Sequence, residues 1–398
     1  MTSPYLIKLD NARTSGGRVE TQEMVGSFQL QEVDLLRGVA AIAVAFGHLR
    51  SLFFVPLAGV SSPSLLIRLF YLSSALGHES VVVFFVLSGF VISRSVLVAG
   101  GRAWSPADYL IRRWARLVVP LVPALLLTAG LDQLGQYLHQ TAWYYSRPVS
   151  EFDNLLVSST SRGTVFVGNL AFLQTVLVPP YGSNAALWSL AYEGWYYVAF
   201  CLIVVAINVR GGLAARATVL CSVILIGLVL GRGISEYFLI WLLGCGAHVF
   251  SANWLRVPSG LALFLTLSSA AVVLAKKTGS QSFGGDVMLA CGIAVLLLSC
   301  KKHCLLPARM APLSRKLASF SYSLYLIHLP IIFFLSAVRK PGNKWQPDAS
   351  AIGLTAVMLL AIVFGAWCFS LMTEAKTSQV RLTITNFVRG HWKRRIPA

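Results

Sequence analysis

Charge is scarce in this chain, and acid scarcest of all. Only 12% of its 398 residues are charged, with 15 Asp+Glu against 33 Lys+Arg and a formal net charge of +18. A soluble domain carries about 25% charged residues, so this shortage, with a mean hydropathy of +0.70, excludes an ordinary soluble enzyme. A basic excess elsewhere points to nucleic acid. Here 56% of the residues are hydrophobic, and a membrane protein gathers Lys and Arg in its cytoplasmic loops for insertion alone, so no nucleic-acid partner is expected. The seven cysteines lie mostly inside apolar runs and read as small core residues, not as a disulfide framework. Cys300, His303 and Cys304 lack a second ligand pair at suitable spacing, so no metal is expected. The first 30 residues contain no apolar h-region, which excludes a cleavable signal and leaves the N-terminus in the cytoplasm. No internal repeat or low-complexity tract is evident.

What the chain has in quantity is long apolar runs. A membrane-crossing helix needs about 20 such residues, and ten runs qualify: 35–57, 78–98, 114–131, 187–207, 213–230, 234–250, 257–275, 287–299, 317–338 and 351–372. An eleventh, 164–178, contains Gly168, Asn169 and Gln174 and ends at Pro179 and Pro180. Whether it crosses decides the orientation of everything after it. If it does not, 23 basic residues lie inside and 10 outside; if it does, the split becomes 15 against 18. Only the first obeys the positive-inside bias. The expected fold is therefore an all-α polytopic membrane protein with ten transmembrane helices, one re-entrant or interfacial segment, and both termini cytoplasmic. A backbone of the re-entrant kind is tolerable only if buried in protein or bordering a cavity. The organisation is a tail (1–30), one membrane domain (31–372) and a basic tail (373–398).

Ionisable groups within spans are functional hypotheses by default. Arg37 and His48 are eleven positions apart in the first span, about 16 Å and almost three turns, so they share a helix face. His48 reads either as a hydrogen-bonding link to a neighbouring helix or as a general base, since imidazole accepts and returns protons near neutral pH. Glu193 is the carboxylate set deep in an apolar run, on one face with Ser189 and Tyr196. It is either neutral helix glue or an ionised group needing a partner, for which His48 and nearby basic residues are candidates. Ser88 and Gly89 permit close helix approach. Arg113 and Arg116 project together from a cytoplasmic helix end, as a solvated flank or as a phosphate site. Ser321, Tyr325 and His328 form a polar stripe that favours an aqueous cavity over lipid contact.

In this order the motifs resemble the acyltransferase 3 family of bacterial membrane-bound O-acyltransferases, over residues 30–372. The likeness rests on Arg37 with His48, on Phe84, Phe85, Ser88, Gly89 and Phe90, on Arg113 with Arg116, on Trp188, Ser189, Leu190 and Glu193, and on the run 321–328. It implies transfer of an acyl group, usually acetyl, from cytoplasmic acyl-CoA to a hydroxyl of a surface or secreted glycan, exopolysaccharide or lipid-linked sugar at the inner membrane. His48 would carry the proton chemistry, and Arg37, Arg113 and Arg116 would hold the donor phosphates. One departure stands out: many members have Asp two positions before the Phe-Phe pair, where this chain has Val82. Glu193, or His78 and Glu79, would have to replace it.

Acyl transfer from a thioester needs a base, a cationic cradle and donors for the developing oxyanion, and the residues supply these independently of the resemblance. His48 would either deprotonate the sugar directly or be acylated first. The rival reading is a transporter or flippase using the same polar residues, but the paired inverted repeats of such proteins are not evident. The orientation is testable: a fluorescent protein fused after Ala398 should fluoresce and a periplasmic phosphatase fused there should be inactive, the reverse result placing the C-terminus outside.

Overall fold

The structure is a computed structural model and describes residues 17–97, 104–138, 156–208, 212–253, 257–275, 282–299, 306–337 and 344–393. The 300–304 Cys/His group and Arg102 lie outside the described residues. The elements are helical in chain order: α1 (Gly17–Phe53), α2 (Leu65–Ser73), α3 (Gly77–Leu97), α4 (Pro106–Leu138), α5 (Gly163–Leu170), α6 (Trp188–Asn208), α7 (Leu213–Leu230), α8 (Arg232–Asn253), α9 (Ser259–Ala275), α10 (Phe283–Ser299), α11 (Ala311–Ala337), α12 (Ala349–Met372) and α13 (Thr377–Lys393). No named strand occurs among the described residues.

Among the described residues, eight stretches are long and apolar enough to cross a membrane, and two shorter apolar helices, Ser259–Leu274 and Phe283–Ser299, lie at the other two expected positions. Most expected boundaries agree to within about two residues, Leu213–Leu230 among them, but some helices run well beyond their apolar runs. α4 begins and ends about two turns beyond the 114–131 run, and α1 starts within the polar N-terminal segment. Apolar periodicity reports only the hydrocarbon-facing part of a helix. Large apolar side chains such as Leu225 and Leu228 on α7, Phe264 on α9 and Phe364 on α12 are exposed, as lipid-facing surfaces are.

α1, α3, α4, α6 and α11 make the centre. α11 packs along α1, α4 and α12, while α8 buttresses α3 and α10. The α3–α8 crossing depends on two glycines. A Cβ at Gly89 would run into the Trp241 carbonyl, and one at Gly244 into the Val86 carbonyl, so each helix needs the other's missing side chain to approach this closely. Cys245 Sγ also reaches the Gly89 carbonyl at 3.3 Å.

The 164–178 segment does not cross. α5 has eight residues, about 12 Å of helix, and the chain then reverses through Phe172 (φ 57°) and Thr175 (φ 69°), both in the left-handed region. Such conformations cost about 1–3 kcal/mol each and persist where surroundings over-determine them. Here the Phe172 ring meets Trp114 edge-on at 4.8 Å, its carbonyl accepts from Trp195 Nε1 at 2.9 Å, and Gly194 leaves space for the ring. At the other end Gly182 lies against Asp132, whose Oδ2 accepts from Ser183 N at 2.8 Å. Trp114 and Asp132 are separated on α4 by roughly 27 Å, so the hairpin extends through most of the depth of the bundle. Polar side chains complete its backbone: Asn169 Nδ2 donates to the Val165 and Pro179 carbonyls, and Gln174 Nε2 to that of Leu187.

α11 carries the same logic. Pro330 inside it cannot donate to the Leu326 carbonyl, and Asn184 Nδ2 takes that oxygen at 2.8 Å. The segment after the hairpin thus fixes the stretch of α11 bearing Tyr325 and His328. A Gly89→Leu variant should be destabilised by at least about 1–3 kcal/mol through overpacking, read as a lowered melting temperature in detergent, whereas Gly353→Ala, whose Cβ meets nothing, should keep or slightly raise it, as Ala replaces Gly inside a helix.

Candidate active site

A cavity of about 80 Å³ opens between α1, α3, α4, α6 and α11. Arg37 enters it from α1, Phe84, Phe85 and Ser88 from α3, Arg113 and Arg116 from α4, Ser189, Glu193 and Tyr197 from α6, and Ser321, Tyr322 and Tyr325 from α11. Five helices distant in sequence therefore converge on one space, and they bring together the three arginines, Glu193, Ser88 and Tyr325 singled out in the sequence.

Glu193 is held by three helices. Its Oε1 accepts from Ser88 Oγ at 2.9 Å and from the Tyr197 hydroxyl in a short hydrogen bond. Ser88 Oγ itself accepts from Trp241 Nε1 of α8 at 3.1 Å, so a chain of hydrogen bonds runs from Trp241 through Ser88 to the carboxylate. Tyr197 stands one turn from Glu193, at i+4 on the same helix. Tyr196, expected on the Glu193 face, instead turns away and donates to the Ile234 carbonyl at 2.8 Å. His48, one of the expected partners of Glu193, is not among the side chains lining the cavity.

The arginines are held differently. Arg113 Nη2 donates to Ser95 Oγ at 2.6 Å, and its guanidinium lies 5.6 Å from the centre of the Tyr109 ring. Arg37 is within electrostatic range of Asp34, Glu193, Glu374 and Arg116; Arg116 is within range of Glu193 and Glu374. No contact ion pair joins a carboxylate to any of the three guanidiniums among the described residues. Their forks therefore face the cavity as charge-bearing donors with geometry suited to phosphate or carboxylate oxygens.

The histidines form a second layer. His48 and His328 stack with ring centroids 5.3 Å apart and planes 22° from parallel. His328 is fully buried, and its Nδ1 faces the Tyr325 and Leu324 carbonyls at 2.8 and 3.1 Å. Carbonyls only accept, so Nδ1 carries the proton and Nε2 is the bare nitrogen. Tyr325 links the layers: its ring centroid is 5.7 Å from that of His328, it lines the cavity, and its hydroxyl pairs with Ser189 Oγ at 2.6 Å. Ser321 lines the cavity while its Oγ donates back to Ala318.

The structure separates other sequence candidates from this space. Val82 is fully buried and, like His78 and Glu79, does not line the cavity. His78 Nε2 lies 2.9–3.0 Å from both Asp286 oxygens, and Tyr237 donates to Asp286 at 2.6 Å. This polar group ties α3, α8 and α10 together. Of the candidates, Glu193 alone brings a carboxylate to the cavity wall.

Tyr197, Trp241 and Glu374 were missed in the sequence. The i+4 spacing from Glu193 was available for Tyr197; nothing local marks Trp241, whose role comes from the α3–α8 crossing. A family model described as an acyltransferase domain matches residues 30–371. No curated protein and no solved structure matches the chain.

The hydrogen-bond chain predicts a coupled pair. Ser88→Ala and Trp241→Phe should each destabilise the protein, and the double variant should lose less than the sum of the two, with a coupling of about 0.5–3 kcal/mol in a double-mutant cycle. Additive losses would show that the Trp241–Ser88 bond carries no energy.

Proposed function

Since the chain belongs to the acyltransferase 3 family, we propose that it moves an acyl group, acetyl before longer chains, from cytoplasmic acyl-CoA to a hydroxyl of a cell-surface or secreted glycan at the inner membrane. The observation that carries this reading is the convergence of Arg37, Arg113 and Arg116 with Glu193 and Tyr325 on one cavity, one ring away from the stacked His48 and His328.

In this reading the three guanidiniums bind the phosphates of the donor, and the pantetheine arm runs along the apolar wall of Phe84 and Phe85 toward Tyr325. The acceptor oxygen attacks the thioester carbonyl carbon, the C–S bond breaks, the hydroxyl proton passes to His48, and the departing thiolate takes up a proton. His328 supports the ring of His48 by stacking, and its Nδ1–H anchors to backbone carbonyls hold it in one orientation. The Tyr325 hydroxyl donates to the Ala186 carbonyl at 3.0 Å and accepts from Ser189 Oγ, so in this reading the N–H groups of the arginine forks are the donors left for developing oxyanion charge. In a covalent variant His48 attacks the thioester carbonyl carbon, the C–S bond breaks and the thiolate leaves with the imidazole N–H proton; the sugar oxygen then attacks the acyl-His48 carbon, the C–N bond breaks, and the imidazole departs with the hydroxyl proton. Glu193, fixed by Ser88 and Tyr197, provides negative charge beside the arginines and so sets their spacing.

The test uses purified protein in lipid nanodiscs with labelled acetyl-CoA and candidate glycans, alongside mass spectrometry of surface and secreted glycans with and without the gene. His48→Ala should lower transfer by about 10²- to 10⁴-fold, the range of general acid–base catalysis. Arg116→Gln should raise the donor KM with a smaller change in kcat, as loss of uniform binding does. Substrate flux across proteoliposomes without label transfer to any glycan would instead identify a transporter.

A further inference from the structure

Glu374 lies three residues beyond the family-matched stretch, in the short turn Glu374–Lys376 that joins α12 to α13. The turn brings this acidic side chain back to the bundle. Its Oε2 accepts from Ser323 Oγ at 2.9 Å and from Ser323 N at 3.2 Å. The neighbours of Ser323 on α11, Ser321, Tyr322 and Tyr325, line the cavity, and the Tyr322 hydroxyl donates to the Leu117 carbonyl next to Arg116. Arg37 and Arg116 both lie within electrostatic range of Glu374, yet neither forms a contact ion pair with it among the described residues. The carboxylate is held by a neutral hydroxyl and an amide while its charge acts on two guanidiniums across a gap.

Arg37 lies within electrostatic range of Asp34, Glu193 and Glu374, and Arg116 within range of Glu193 and Glu374. Of the three carboxylates Glu193 is fixed at mid-helix by Ser88 and Tyr197, and Asp34 belongs to α1. Glu374 alone sits on a turn at the edge of the bundle. An anionic ligand entering this space adds charge that Glu374 opposes.

We propose that Glu374 is an internal counter-anion of the cavity: it offsets Arg37 and Arg116 when no donor is bound and competes electrostatically with the donor phosphates, setting donor affinity from outside the catalytic motifs. It is a positioning and affinity-setting residue, not a catalytic one. The inference rests on the donor-binding reading of the arginines given above.

The experiment measures binding of CoA itself to the full chain in nanodiscs. Glu374→Gln and Glu374→Ala should each bind CoA about tenfold more tightly than the parent chain at low salt, the gain expected from removing one opposing charge at partly screened range. The gain should shrink as salt rises, and Glu374→Asp, which keeps the charge, should stay within about threefold of the parent. A gain of affinity cannot come from structural damage. If the parent binds CoA and Arg116→Gln weakens binding, but both neutral variants bind equally or less tightly, the inference is overturned while the donor reading stands. The inference also falls if neither neutral variant can be isolated with a parent-like melting temperature, because the carboxylate is then structural, or if Glu374→Asp tightens binding as much as Gln. CoA binding by none of these proteins overturns the donor reading, and this inference with it.

Discussion

Placing guanidinium groups inside a low-dielectric bundle is the constraint around which the rest is arranged. An unpaired charge in such surroundings is expensive, and a tightly paired one is unavailable to a ligand. The chain takes a middle course: Arg37 and Arg116 face carboxylates at a distance, Arg113 is held by Ser95 and Tyr109, and none of the three forms a contact ion pair among the described residues. The carboxylate Oε1 of Glu193 is held instead by Ser88 and Tyr197. The α3–α8 glycine crossing is part of the same arrangement, because only close approach of those helices lets Trp241 of α8 reach Ser88.

The histidine layer depends on a different economy. Pro330 releases the Leu326 carbonyl, and Asn184 takes it; His328 spends its Nδ1 proton on carbonyls of its own helix. The result is a rigid stretch of α11 against which His48 of α1 can stack. Tyr325 belongs to both layers and is the shortest route between the arginine cavity and the imidazoles. In a membrane-spanning helix each of these polar commitments replaces one that water would otherwise make.

Much of this was legible in the sequence because cost in hydrocarbon singles out polar residues. Arg37, Ser88, Arg113, Arg116, Glu193 and Tyr325 stand out in apolar runs, and they line one cavity. The non-crossing 164–178 segment was legible too, from a balance of basic residues that its crossing would have inverted. What the sequence hid is pairing. Of the expected partners of Glu193, Arg37 and Arg116 lie within electrostatic range but His48 does not line the cavity, and the hydrogen bonds go to Ser88 and Tyr197, since facing residues on separate helices depend on crossing angles that periodicity does not encode. Tyr196 and Tyr197 differ by one position, and 100° of helix rotation decides which meets a carboxylate. Glu374 was hidden for another reason: it follows the last span, where an acidic residue among basic ones reads as ordinary solvated sequence.

The re-entrant hairpin also has a bearing on how the molecule is made. Its backbone is completed by Asn169 and Gln174 from within and by Trp195 from α6, and its left-handed Phe172 is wedged between α4 and α6. In bare lipid those groups would be unsatisfied and that conformation unsupported. The segment is translated before α6 but has no stable place until α6 is inserted beside α4. Residues 164–178 therefore owe their conformation to a helix that comes after them in the chain, as well as to one that comes before.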